Sequence, residues 1–111
     1  MHLDFYRIKD HLVIKLFGEL DHHNAMEVRT KIDDKIDREK IYKVIIDFRD
    51  VGFMDSSGLG MLINRYKKVI EHGGELHVVN TNARVDKIFT VSGIYKIINK
   101  IDSIESIVSN F

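Results

Sequence analysis

The chain contains no cysteine, no proline and no tryptophan among its 111 residues. Without cysteine it can form no disulfide, no thiol nucleophile and no thiolate metal site, which fits a reducing compartment, and we expect a cytoplasmic protein. No apolar run approaches the roughly 20 residues of a membrane helix. The segment Met1–Phe5 lacks the basic start and the apolar run of a signal peptide. We therefore expect no membrane association.

An excess of charge of either sign is also absent. Lys and Arg together number 17, as do Asp and Glu, so the formal net charge is +0. A general electrostatic affinity for nucleic acid is not indicated, and Arg65, Lys67 and Lys68 are interpreted as the solvated side of a helix. Apolar residues make up 44% of the chain, and this length suffices to bury a core. We expect a single domain over residues 1–111.

The hydrophobic periodicity predicts the element order β-β-α-β-α-β-α-β-α. Two extended segments, Leu3–Ile8 and Leu12–Phe17, form a predicted hairpin that residues 18–21 end. The later predicted elements are a helix over 24–38, a strand over 43–48, a helix from 56 to about 71, a strand over 76–79, a helix after residue 82, a strand over 96–98 and a last helix carrying Ile101 to Phe111. The apolar stripe predicted for the first of these helices is Ala25, Val28, Ile32 and Ile36. Alternation of strands and helices implies an α/β fold, with a mostly parallel mixed sheet, an N-terminal hairpin and about four packed helices.

Residues 53–60, which read Phe-Met-Asp-Ser-Ser-Gly-Leu-Gly, connect the third predicted strand to a helix. The hydroxyls of Ser56 and Ser57 come at the start of that helix, where free backbone N–H groups and the helix dipole favour an anion. A serine there can carry a phosphate without disrupting the fold, which favours a switch over a catalyst. Helix capping is the alternative interpretation. One hydroxyl is enough to cap a helix, so capping alone does not explain why two serines occur here.

Two segments, 18–24 and 49–58, each follow the end of a predicted strand. Sites in open parallel sheets tend to lie at the carboxyl ends of the strands. We therefore expect one surface formed by Asp21, His22, His23, Asp55, Ser56 and Ser57. An exposed Leu59 or Met61 could add an anchor for a partner, although helix packing explains both residues equally well.

Other chemistry fits these residues less well. A serine hydrolase would need Gly-x-Ser-x-Gly, and the position two before Ser57 is Asp55, although a small hydrolase using Ser56 or Ser57 remains the enzyme alternative. His22 and His23 are adjacent and do not share a helical face as metal ligands spaced four apart do. Asp47 and Asp55 could flank a strand end as in receiver domains, but the paired acidic residues after the first strand are missing. We expect no enzyme activity, no metal and no cofactor.

The segment Asp55–Gly60, preceded by an apolar strand, resembles the signature of STAS domains, and the resemblance extends over essentially the whole chain. Within that family, Gly18–His23 resembles the anti-sigma factor antagonists of sporulation. The resemblance implies an unphosphorylated form that binds an anti-sigma factor, itself a serine kinase, and thereby frees a sporulation sigma factor. It further implies that the kinase uses ATP to phosphorylate Ser57, that the antagonist then lets go, and that a metal-dependent serine phosphatase resets it.

The predicted partner-binding residues are Asp21, His22, His23, Asp55, Ser56, Gly58, Leu59, Gly60 and Met61, around the phosphoacceptor Ser57. An antagonist in a general stress sigma-factor pathway, with a related kinase and the same chemistry, remains an alternative.

Overall fold

The computed structural model describes residues 1–108, which form a five-stranded sheet in the order β1-β2-β3-β4-β5. The strands are β1 (His2–Ile8), β2 (His11–Leu20), β3 (Lys43–Met54), β4 (Glu75–Val79) and β5 (Asn99–Ile101). The helices are α1 (Ala25–Glu39), α2 (Ser56–Glu71), α3 (Ala83–Ser92) and α4 (Ile104–Val108), with a 3-10 turn at Ile94–Lys96. Strands β1 and β2 pair antiparallel and the other neighbours pair parallel, which confirms the predicted α/β fold.

The sheet has an apolar layer on each face. Leu12, Ile14 and Leu16, which the alternation predicts on one face of β2, enter the main core under α1, α2 and α3. The opposite face carries a smaller cluster of Val13, Ile45 and Val79, against which α4 packs. Helix α1 buries Val28, Ile32 and Ile36 of the predicted stripe completely, whereas Ala25, its first member, is only partly buried. This burial fixes the height and rotation of α1 beside α2, and so the width of the space between them.

The strands β2 and β3 run further than the sequence predicts. We expected β2 to end at Phe17 and β3 at residue 48, but the two strands continue side by side until Leu20 pairs with Met54. Two register shifts interrupt this extension, between Lys15 and Phe17 and between Gly18 and Glu19. Such bulges disrupt the alternation by which a strand is recognised in a sequence. As a result, Asp55 follows β3 directly, without the short loop we expected.

The C-terminal assignment needs a second correction. The strand predicted over 96–98 is wrong, because Lys96 ends a 3-10 turn, residues 97 and 98 connect that turn to the sheet, and β5 begins at Asn99. Ile101, which we expected in the last helix, ends β5, and Phe111 lies outside the described residues. The apolar pattern suggested a strand because Ile94 and Ile98 are both buried, although neither residue lies in a strand. Gly93, with φ of 79°, ends α3 just before this segment.

Hydrogen bonds of the Tyr95 side chain stabilise the 3-10 turn after α3. The Tyr95 hydroxyl donates to the Asp86 carboxylate and lies 3.3 Å from the Thr81 hydroxyl. Burial and the hydrogen bond to Asp86 raise the pKa of Tyr95 from 10.0 to about 12. The Tyr95 hydrogen bond lowers the pKa of Asp86.

We expect Tyr95→Phe to lower the free energy of unfolding by about 1 kcal/mol at neutral pH, because it removes a hydrogen bond to a carboxylate. The native-state pKa of Tyr95 lies above that of the unfolded chain, so this stabilisation is present below pH 10.0 and is lost as the pH rises through about 12. Urea denaturation and ultraviolet titration of phenolate measure the two effects, with Tyr66→Phe as the control. A phenolate step near pH 12 that persists in Tyr95→Phe would contradict the assignment.

Candidate functional site

The carboxylate of Asp55 joins the end of β3, the start of α2 and the segment after β2. Its Oδ1 accepts hydrogen bonds from the backbone N–H of Ser57 at 2.9 Å and of Gly58 at 3.3 Å. Its Oδ2 accepts from the backbone N–H of His22 at 3.0 Å. The backbone N–H of Asp55 itself donates to the Leu20 carbonyl at 3.4 Å. Asp55 is therefore the N-cap of α2 and also a bridge between the two strand ends.

The segment between β2 and α1 is held by its own hydrogen bonds. The Asp21 carboxylate accepts from the backbone N–H of Asn24 at 3.0 Å, and the Asp21 carbonyl accepts from that of Ala25 at 2.9 Å. The Asn24 side chain donates to the Glu19 carbonyl at 2.8 Å. The segments 18–24 and 49–58 thus lie side by side at the carboxyl end of the sheet, where we expected them.

The Ser57 side chain lies at the rim of a groove between α1 and α2. The groove encloses about 460 Å³, and its walls include His22, Ala25, Arg29, Ser57, Met61 and Asn64. The Ser57 hydroxyl oxygen is 3.3 Å from Nδ1 of the exposed His22 ring. Ser57 is half-buried and Ser56 is exposed. The hydroxyl of Ser57 therefore lies at an open surface, outside the core.

The side of this groove carries a small excess of positive charge. Asp33 faces Arg65, with its carboxylate 2.9 Å from Nε, and also Arg29 at 3.8 Å and Lys68 at 3.7 Å. Lys68 pairs in addition with Asp37 at 2.9 Å. Burial lowers the pKa of Arg65, against the opposing effect of Asp33. Of these charged groups, only Arg29 and Arg65 line the groove, and both contact Asp33.

The two glycines of the motif have different structural roles. Gly58 is buried, and a Cβ placed on it would lie 2.6 Å from the Leu20 carbonyl oxygen. The close approach of α2 to the end of β2 therefore requires a glycine at this position. A Cβ on Gly60 would meet no atom within 4 Å. Packing explains Gly58, whereas Gly60 leaves a bare patch of helix on the surface.

The two proposed apolar anchors differ as well. Leu59 is partly buried and borders a second apolar groove between α2 and α3. Met61 is only 5% exposed and belongs to the core, since it lies on the sheet-facing side of α2. Of the two interpretations left open for Met61, helix packing is the one that applies, and the residue reaches the groove wall only at its edge.

Sequence reasoning missed the contribution of α1 to this surface. Met26, at 66% exposure, and Arg29 lie beside the groove and are not among the buried residues of α1. Asn64 faces them from α2. The available signal was Met26 itself, a large apolar side chain that falls outside the predicted stripe of α1.

The structure also decides against the receiver-like arrangement. Asp47 is 5% exposed and lies within β3. It borders a polar cavity on the α4 side of the sheet, together with Tyr6, Lys15 and Glu105. Asp47 and Asp55 therefore do not form an acidic pair. Within residues 1–108, no helix is both long and apolar enough to cross a membrane.

Alanine substitution at the two glycines tests the packing of the motif within one helix. We expect Gly58→Ala to lower the free energy of unfolding by about 2 kcal/mol, because its Cβ must displace the backbone of β2. Gly60→Ala is the matched control and should raise it by up to about 1 kcal/mol, since alanine favours helix and meets no neighbour. Urea denaturation measures both values. Equal effects at the two positions would show that α2 does not approach β2 as described.

Comparison with known proteins finds a matching family model, similar sequences and similar solved structures. The family model "STAS domain" matches residues 2–107. An anti-sigma F factor antagonist from Paenibacillus polymyxa is 40% identical over 86 residues, which are 78% of this chain and 74% of that protein. The anti-sigma factor antagonist SpoIIAA in its unphosphorylated form has a similar structure, with a TM-score of 0.80 and 31% identity over 96% of this chain and 93% of that one.

The phosphorylated form of SpoIIAA, described as a Bacillus cell fate determinant, superposes with a TM-score of 0.74 and 29% identity. That match covers 99% of this chain and 100% of the other. The family match spans nearly the whole described chain and includes the Asp-Ser-Ser-Gly-Leu-Gly segment at the start of α2. The chain therefore belongs to the STAS domain family.

Proposed function

We propose that this protein is a cytoplasmic anti-sigma factor antagonist that is switched by phosphorylation of Ser57. In the unphosphorylated state it binds an anti-sigma factor that is also a serine kinase, and so frees a sporulation sigma factor. The observation that carries the proposal is the position of the Ser57 hydroxyl, at an open groove and at the start of a capped helix. Similarity to antagonists of anti-sigma F factors supports the sporulation pathway over the general stress pathway.

Ser57 is proposed as the phosphoacceptor because its hydroxyl lies at the groove, next to His22. The kinase transfers the γ-phosphoryl group of ATP to this oxygen. A new O–P bond forms at Ser57, the bond between the γ-phosphorus and ADP breaks, and the hydroxyl proton leaves. The dipole of α2 favours negative charge at its N-terminus, so the domain can carry the phosphate without refolding.

The added charge explains how the partner is released. A phosphate carries about −1.5 to −2 charges at neutral pH. The carboxylate of Asp55 caps the same helix turn, and Asp21 precedes His22 on the neighbouring segment. In a closed interface the phosphate would lose water beside these carboxylates, at a cost of several kcal/mol, which corresponds to about a thousandfold in affinity. Release therefore follows from local charge with little change of fold.

The proposed docking surface surrounds this serine. Its exposed or half-buried members are Asp21, His22, His23, Asp55, Ser56, Leu59 and Gly60. Gly58 and Met61 support the surface from below. The bare backbone at Gly60 permits a partner to approach α2 closely. The same openness leaves a phosphate on Ser57 within reach of the metal-dependent serine phosphatase that would reset the switch.

The geometry favours this binding switch over the serine hydrolase alternative. The contact between Ser57 and His22 is one that a hydrolase needs, but Asp55 binds the backbone of His22 and not its ring. The Asp55 carboxylate also occupies the N–H groups of Ser57 and Gly58. An oxyanion hole would require such donors to be free.

Mass spectrometry after incubation with the anti-sigma kinase of the same organism and ATP tests the acceptor. We expect one phosphate on the wild-type chain and on the control Ser56→Ala, and none on Ser57→Ala. Ser57→Ala should bind the kinase and resist release by ATP, while Ser57→Asp should weaken binding only partly because it carries less charge. Phosphate found on Ser57→Ala would place the acceptor elsewhere.

A further inference from the structure

A backbone hydrogen bond to Asp55 holds His22 at the start of α2, where its ring contacts the Ser57 hydroxyl. Its backbone N–H donates to Asp55 at 3.0 Å, which fixes the Cα of His22 relative to the first turn of α2. Nδ1 of the ring then lies 3.3 Å from the Ser57 hydroxyl oxygen. The His22 side chain is exposed to solvent.

The first turn of α2 offers a phosphate fewer free donors than an uncapped helix N-terminus would. Asp55 already accepts from the N–H groups of Ser57 and Gly58. A phosphate on Ser57 would have to displace this cap in order to use them. The His22 ring is a side-chain donor already in contact with the oxygen that becomes esterified. A protonated imidazole donates from both nitrogens and forms a charge-assisted hydrogen bond with a phosphate oxygen.

We propose that His22 is a positioning residue that receives the phosphate on Ser57 and holds it at the mouth of the groove. The inference rests on the proposed function of Ser57 and adds the group that recognises the modified state. The unmodified hydroxyl is placed by the same contact, since Nδ1 accepts a hydrogen bond from it in the neutral tautomer that carries its hydrogen on Nε2. Without this pairing, the phosphate would turn freely into solvent.

The other charged groups around Ser57 and His22 also influence how readily the phosphate gains its second negative charge. Asp55, at the start of α2, and Asp21, next to His22 in the chain, disfavour a second negative charge on the phosphate. Arg29 and Arg65, along the groove, favour it, although both contact Asp33. The ring of His23 lies 6.1 Å from that of His22, centroid to centroid. These groups stay in place when His22 alone is changed, so a comparison of variants isolates its ring.

The test is a phosphorus NMR titration of the full chain with phosphoserine installed at position 57 during translation. We expect the second pKa of the phosphate, ordinarily about 6, to be lower by about 0.5 in the wild-type chain than in His22→Gln, because the ring pairs with the dianion. The matched control His23→Gln should titrate like the wild-type chain. His22→Asn places a neutral amide nitrogen near the position of Nδ1 and should recover part of the difference.

A phosphate pKa in His22→Gln equal to that of the wild-type chain would overturn the proposal, and so would an equal rise in His23→Gln. Urea denaturation of each variant confirms that the comparison is between folded chains, and the retained backbone bond to Asp55 favours folding. Translational installation of phosphoserine makes the titration independent of any kinase. Failure of the kinase to modify Ser57 would therefore count against the proposed function and leave the titration result standing.

Discussion

The site depends on the carboxylate of Asp55, which accepts hydrogen bonds from the backbone of two different segments. Asp55 accepts from Ser57 and Gly58 at the start of α2 and from His22 after β2. These N–H groups would otherwise lack partners, since a helix start and a strand-to-helix connection both leave donors open. Because one side chain satisfies both, neither segment can shift without breaking the bonds of the other. The serine, the histidine and the groove between α1 and α2 are thus placed before any partner binds.

This arrangement separates the stability of the domain from the charge of its surface. The main core is formed by apolar side chains of β2, β3 and the three helices on one face of the sheet. Ser57 lies at the edge of that core, on the open end of α2. A phosphate there changes a rim position, where exposed charges contribute little to folding. In a desolvated interface the same charge would be costly, so the proposed modification would act on binding far more than on folding.

Most of the fold could be predicted from the sequence, because its helices and short strands follow clean periodicity. The stripe of Val28, Ile32 and Ile36 and the alternation of Leu12, Ile14 and Leu16 are examples. The failures occurred where local pattern and tertiary structure diverge, at the bulged extension of β2 and β3 and at the 3-10 turn before β5. The order of the strands was enough to predict that His22 and Asp55 lie close together. The hydrogen bond from the His22 backbone to the Asp55 carboxylate could be found only in the structure. Whether Met61 is buried depends on how α2 is rotated about its axis, and the spacing of apolar residues did not determine that rotation.

The most direct test is isothermal titration calorimetry of the anti-sigma kinase with the unmodified chain and with the chain phosphorylated at Ser57, alongside urea denaturation of both forms. The account predicts an affinity about a thousandfold weaker for the phosphorylated chain, with free energies of unfolding that agree within about 1 kcal/mol. Equal affinities would contradict it. So would a loss of binding that a matching loss of folded structure explains.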